Sequence, residues 1–93
     1  MTPRELSEKA HELVGQGWVL LDVRTREEYG QGHPEPARNI PVQELQGRLG
    51  ELGPPGTKVV VYCQSGGRSA MAAGILRAGG YTDLFDLKSV AYW

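Results

Sequence analysis

Two short, unbroken apolar runs constrain the fold of this chain more than any other feature. Trp18-Val19-Leu20-Leu21 leads into Asp22-Val23-Arg24, and Lys58-Val59-Val60-Val61-Tyr62 leads into Cys63. A strand with one wet face alternates apolar and polar residues, so a run without alternation must be covered on both faces. β-Branched residues and the Gly53-Pro54-Pro55-Gly56 turn favour strand over helix for the second run. Helical stretches surround both. Thr2-Pro3-Arg4-Glu5 reads as a helix start, with Thr2 as N-cap, Pro3 at the first helical position and Glu5 closing a capping box. Leu6, Ala10, Leu13 and Val14 then recur at helical spacing, and Gly15-Gln16-Gly17 stops the helix. Further along come an acidic helical turn around Glu27-Glu28-Tyr29, an irregular Pro-rich stretch, and a helix near Gln43 to Leu52 using Leu45, Leu49 and Leu52. A helix from about Ser69 to Ala78, stopped by Gly79-Gly80, and a last strand over Leu84-Phe85-Asp86-Leu87 complete the pattern. Strands alternating with helices predict an α/β fold: a small, mainly parallel sheet of at most about five strands, flanked by helices.

The 93 residues predict one domain spanning 1–93, because a chain of this size hides only about two-thirds of its surface on folding. One Cys and two His rule out a disulfide framework within the chain and a cysteine-rich zinc site, so neither metal nor cofactor is expected. The net charge of −1 gives no electrostatic basis for binding nucleic acid. No stretch approaches the roughly 18 apolar residues of a membrane span, and the first residues lack a signal peptide's apolar core. A cytoplasmic protein with a reduced Cys63 is the expectation.

The segment richest in chemistry is Cys63-Gln64-Ser65-Gly66-Gly67-Arg68-Ser69, which joins a buried strand to a helix. Adjacent glycines let the chain curl so that successive N–H groups point inward as an anion-binding nest. The helix behind it adds its own unpaired N–H groups and its positive dipole end. Arg68 supplies a full positive charge, and Ser69 serves as N-cap or donates its hydroxyl to a sulfur anion. Each of these groups favours a thiolate, so Cys63 is expected to be a nucleophile that needs no separate base. In open α/β sheets ligands gather at the carboxyl ends of the strands, where both Cys63 and Asp22-Val23-Arg24 fall.

These residues resemble the single-domain rhodaneses, the thiosulfate sulfurtransferase family, over nearly the whole chain. Leu21-Asp22-Val23-Arg24 with Glu28-Tyr29 and Gly32-His33 is similar to that family's first signature, and Ala37-Arg38-Asn39-Ile40-Pro41 to its continuation. Cys63-x-Ser65-Gly66-x-Arg68-Ser69 resembles its active-site loop, followed by Ala72-Ala73, Leu76 and Gly80-Tyr81 at the expected spacing. The resemblance implies a three-layer rhodanese-like fold and sulfur transfer through a Cys63 persulfide. The donor would be a small anion such as thiosulfate, or a protein persulfide, and the acceptor cyanide or a thiol. Gln64, Ser65, Gly66, Gly67, Arg68 and Ser69 would cradle the sulfur, with Arg68 meeting the anionic donor. Asp22 and Arg24 would brace the strand end through hydrogen bonds and an ion pair. His33 is expected to hydrogen-bond a loop, His11 to be solvated, and Trp18, Tyr62 and Tyr81 to pack in the core or rim.

Rival readings are a sulfur-carrier or regulatory binding module of the same fold, and a Cys-based phosphatase or arsenate reductase. The phosphatases carry five residues between Cys and Arg, whereas here Gln64 to Gly67 is one residue shorter and position 69 is Ser. Two departures from the resembled pattern stand out. Pro34-Glu35-Pro36-Ala37 replaces Ile-Pro-Gly-Ala, and Leu87-Lys88-Ser89 lacks the usual paired glycines. The second departure predicts a reshaped rim beside Cys63. A lone exposed thiol would also be open to linking two chains under oxidation.

Overall fold

The computed structural model describes residues 1–93. In chain order the elements are α1 (Pro3–Gly15), β1 (Val19–Asp22), α2 (Arg26–Gly30), β2 (Arg38–Asn39), α3 (Val42–Leu45), β3 (Val59–Cys63), α4 (Gly67–Ala78) and β4 (Leu84–Ser89). 3₁₀ segments cover Gln46–Leu52 and Val90–Tyr92. The four strands form one sheet in the order β2-β1-β3-β4, and every neighbouring pair is parallel.

The two apolar runs are β1 and β3, paired at the centre with Val19 opposite Val59 and Asp22 opposite Tyr62. Because both faces of a central parallel strand are covered, successive residues feed different cores. Leu21, Val59 and Val61 pack with Val42, Leu45, Leu52, Ala72 and Leu76 on the α3–α4 side. Leu20, Val60 and Tyr62 pack with Leu6, Ala10, Leu13 and Leu87 on the α1 side. Helices, sheet and helix therefore make the three layers expected of an α/β chain.

Local signals account for the ends of the elements. Thr2 caps α1 by accepting from the Glu5 N–H, and the Glu5 side chain accepts from the Thr2 N–H in return. Thr25 and Glu28 repeat this capping box at α2. The helix expected over Gln43 to Leu52 is instead one turn, Val42–Leu45, followed by the 3₁₀ segment, with a break at Arg48 (φ −129°). Gly47 and Gly50 flank that break, and glycine's backbone freedom weakens a helix just where it is needed to continue. Helix α4 begins at Gly67, with Gly66 as its cap, two residues before the expected Ser69. The last strand runs past Leu87 to Ser89, and the two-residue β2 was not expected at all.

Strand β4 carries one irregularity, and it lies beside Cys63. Val61 pairs with Asp86 and Tyr62 with Lys88, so Leu87 is an extra residue and the strand bulges. Lys88 takes φ +74°, the left-handed region, and is the one non-glycine residue in the chain to do so. The Asp86 carboxylate holds this turn by accepting from the Lys88 N–H at 2.9 Å.

The order 2-1-3-4 reverses direction between β1 and β3, and the carboxyl ends of those strands flank the crevice where such sheets bind ligands. Leu21, with no exposed surface, anchors β1 at that point. Leu21→Ala is expected to lower the unfolding free energy by about 2–5 kcal/mol in urea titrations followed by circular dichroism. A loss below about 1 kcal/mol would mean that the central strand pair is not what fixes the rim.

Candidate active site

Cys63 ends β3 and has no exposed surface. The chain then turns through Gln64-Ser65-Gly66 into α4. Gly66 adopts φ +104°, which a side chain would resist, and this brings the loop back over the sulfur. The Gly66 N–H donates to Cys63 Sγ at 3.0 Å and the Ser69 N–H at 3.3 Å. Gly66 caps a twelve-residue helix and Ser69 lies in its first turn, where N–H groups have no helical partner. Burial pushes the Cys63 thiol up, but the Ser69 hydroxyl and the N–H groups of Ser69, Gly66 and Ser65 outweigh it, so the thiol lies below its ordinary value. Ser69 is buried rather than a helix cap. Its Oγ donates to the Gly66 carbonyl at 3.1 Å and has only to rotate its one proton to face a sulfur anion.

Across the sulfur from these donors is an acceptor. The Cys63 thiol donates to the Lys88 carbonyl at 3.4 Å, and Lys88 is packed so close to Gly66 that a Cβ there would meet the Lys88 Cβ at 3.5 Å. The thiol is thus covered, which corrects the expectation of an exposed cysteine ready to link two chains.

Arg68 also departs from expectation. Its guanidinium does not stand free for an anion but grips the Glu28 carboxylate with both arms, Nη1 to Oε1 at 2.6 Å and Nη2 to Oε2 at 3.0 Å. The pair ties the first turn of α4 to α2. Arg68, with the Thr25 N–H behind it, brings Glu28 down to about 2. Glu28 was not singled out among the candidate residues, although Thr25-x-x-Glu28 is a readable capping box.

Asp22 and Arg24 form a buried ion pair at the end of β1. The buried Asp22 carboxylate accepts from Arg24 Nε at 3.0 Å and Nη2 at 2.7 Å, from the Arg24 N–H at 2.9 Å, and from the Tyr62 hydroxyl at 2.6 Å. Asp22 holds Arg24 firmly protonated, and burial together with the carboxylate keeps the Tyr62 phenol protonated. Arg24 reaches on to the Gly32 carbonyl at 2.9 Å and the Gln64 side chain at 3.5 Å, so the brace touches the Cys63 loop itself. Gln64, Ser65 and Gly67 are otherwise exposed on the rim.

The histidines stand apart from the sulfur. His33 Nδ1 donates to the Tyr29 carbonyl at 2.7 Å and its ring stacks on Tyr29. His11 is not merely solvated, since it donates to the Trp93 carbonyl and stacks on the Trp93 ring. Trp18, Tyr62 and Tyr81 pack in or against the core, with Tyr81 also bridging the Leu49 and Gly53 carbonyls.

The parallel four-stranded sheet flanked by helices matches solved structures of rhodanese-like proteins. The sequence profile of the rhodanese-like domain matches residues 3–89, and the chain belongs to that family. It is 41% identical over 83 residues to the thiosulfate sulfurtransferase PspE of Escherichia coli K12, covering 85% of this chain and 78% of that protein. It is 42% identical over 69 residues to the uncharacterized protein YqhL of Bacillus subtilis 168, covering 74% of this chain and 54% of that longer protein. Among solved structures, the human single-domain sulfurtransferase TSTD1 superposes with a TM-score of 0.82 at 30% identity, covering 92% of this chain and 89% of its own.

Two measurements check the electrostatics of the site. The pH profile of Cys63 alkylation is expected to have its midpoint below the ordinary thiol value, and Ser69→Ala is expected to move that midpoint upward; an unmoved midpoint would remove Ser69 from the set of groups stabilising the thiolate. Glu28→Gln keeps the capping oxygen but removes the ion pair. Because the Glu28 carboxyl lies below its ordinary 4.5 when folded, the pair stabilises the protein above that pH and the gain is lost as the pH falls toward about 2. The variant is therefore expected to be less stable by about 1–2 kcal/mol at neutral pH, with the gap closing in acid; a pH-independent gap would contradict the pair.

Proposed function

We infer that this protein is a sulfurtransferase that moves a sulfane sulfur from thiosulfate or a protein persulfide to cyanide or a thiol, carrying it as a persulfide on Cys63. The observation that carries this reading is the placing of the Gly66 and Ser69 N–H groups on the sulfur, at 3.0 and 3.3 Å, beneath a helix N-terminus. Such donors favour the thiolate directly. A neighbouring base is then unnecessary, and both histidines bond carbonyls elsewhere. The relatives named thiosulfate sulfurtransferases support the choice of substrate class. The reducing cytoplasm would keep Cys63 in the thiol form that accepts sulfur.

In the first half-reaction the Cys63 thiolate attacks the outer sulfur of thiosulfate. A sulfur–sulfur bond forms to Cys63, and the bond to the sulfonate sulfur breaks with its electron pair leaving as sulfite. The terminal persulfide sulfur inherits the thiolate's single negative charge, which the same N–H groups would stabilise. In the second half-reaction cyanide or a thiolate attacks that terminal sulfur, and Cys63 departs as the thiolate it began as. No net oxidant or reductant is consumed, and the two halves make a double displacement. The Arg68 guanidinium, occupied by Glu28, braces the loop instead of clamping a tetrahedral oxyanion, which counts against phosphatase or arsenate reductase chemistry.

Treating the protein with thiosulfate is expected to add one sulfur, about 32 Da, to the intact mass, and cyanide to remove it. Cys63→Ser, a nearly isosteric change, is expected to abolish both the mass gain and turnover while the thermal unfolding midpoint moves little. Turnover retained in that variant would overturn the mechanism. Comparing loading from thiosulfate with loading from a cysteine desulfurase separates a small-molecule donor from a protein donor.

A further inference from the structure

A persulfide needs room that the Cys63 site does not have as it stands. The second sulfur lies about 2.05 Å beyond Sγ, yet Cys63 has no exposed surface. Its cover has two unlike parts. Gly66 and Ser69 present N–H donors, which suit an anion and would follow the sulfur through the reaction. Lys88 presents a carbonyl at 3.4 Å, which accepts the proton of a neutral thiol but opposes a thiolate. When the sulfur becomes charged, the part of the cover with reason to leave is Lys88.

Lys88 is also the part of the cover held in an unfavourable backbone conformation. It sits at the bulge of β4 in a left-handed conformation, φ +74°, that a residue with a side chain adopts only under constraint. Its constraints are the hydrogen bond from its N–H to Asp86 Oδ1 and its pairing with Tyr62 in the β3–β4 ladder, with Ser89 paired to Cys63 beyond it. The charges around the sulfur add a second distinction. Arg24 is committed to Asp22 and Arg68 to Glu28, whereas the Lys88 side chain is exposed and makes no ion pair. Of the cationic residues whose atoms adjoin the sulfur or its loop, Lys88 alone makes no ion pair, and the Asp86 carboxylate beside it accepts from its N–H.

We propose that Lys88 is the specificity-determining residue of the Cys63 site: its backbone covers the thiol at rest and swings aside to admit a donor, and its ammonium selects donors that are anionic. This deepens the sulfurtransferase reading and rests on it for the identity of the donor. The cover and the charge are properties of Cys63 access, testable without any sulfur transfer.

The test is alkylation of the intact protein by neutral iodoacetamide and anionic iodoacetate. Asp86→Ala removes the carboxylate that accepts from the Lys88 N–H and so releases the turn that holds the Lys88 carbonyl over the thiol. At the plateau of its pH profile, where the thiolate is fully formed, its iodoacetamide rate is expected to rise about tenfold, as when a minor open state becomes the major one. Lys88→Gln keeps bulk and loses charge. The ratio of iodoacetate to iodoacetamide rates, from which the thiolate fraction cancels, is expected to fall about three- to fivefold at low salt. Arg77→Gln, which removes an exposed positive charge at the far end of α4, is expected to leave that ratio unchanged. An unaltered iodoacetamide rate in natively folded Asp86→Ala would overturn the cover. An unaltered ratio in Lys88→Gln, or an equal fall in Arg77→Gln, would overturn the charge selection. If alkylation responds as stated but thiosulfate loads no sulfur on the wild type, the sulfurtransferase reading fails and the cover stands.

Discussion

Burying the Asp22 carboxylate at the carboxyl end of β1 obliges the surrounding chain to supply donors there, because an unpartnered charge removed from water would cost several kcal/mol. Arg24 meets that demand with its guanidinium and its own N–H, and Tyr62 on β3 adds its hydroxyl. The Asp22 carbonyl meanwhile accepts from the Ile40 N–H and the Asn39 side chain. One residue thus ties β1 to β2 and β3 and, through Arg24, to the Gly32 loop and to Gln64. The network is complete where it meets the rim on which Cys63 sits: no buried side-chain nitrogen or oxygen lacks a partner.

With the rim fixed in this way, the chemistry around Cys63 is supplied by backbone more than by side chains. Both arginines that sequence reasoning placed near the thiol are committed to carboxylates, Arg24 to Asp22 and Arg68 to Glu28. The Glu28 pair fastens the first turn of α4 to α2, which keeps the Gly66 and Ser69 N–H groups aimed at one point. A preorganised set of N–H dipoles stabilises sulfur anions of different length without the reorganisation that mobile side chains would require.

The central strands were legible because burial on both faces writes itself as an uninterrupted apolar run, as in Val59-Val60-Val61. The capping box of α1 was equally plain, since its signal is local. Strand β2 was not, because its two residues, Arg38 and Asn39, are polar and are held by pairing with β1 rather than by any pattern of their own. The start of α4 was misplaced by two residues because Gly66 caps through backbone conformation, which leaves no side-chain signature. Cys63 and its loop could be named from the residue types alone. The partner of Arg68 could not, since Glu28 lies 40 positions away and is brought there only by the packing of α2. The absence of glycine at Lys88-Ser89 was visible as an anomaly, and its meaning, a left-handed lysine over the thiol, needed the register of β4.

The claim on which the functional reading turns is that one sulfur atom rests covalently on Cys63 between donor and acceptor. Initial rates of thiocyanate formation, measured over a grid of thiosulfate and cyanide concentrations, test it most directly. A persulfide-carrying Cys63 predicts parallel lines in double-reciprocal plots, the mark of a double displacement. Lines that intersect would mean that donor and acceptor must be bound together, and would contradict it.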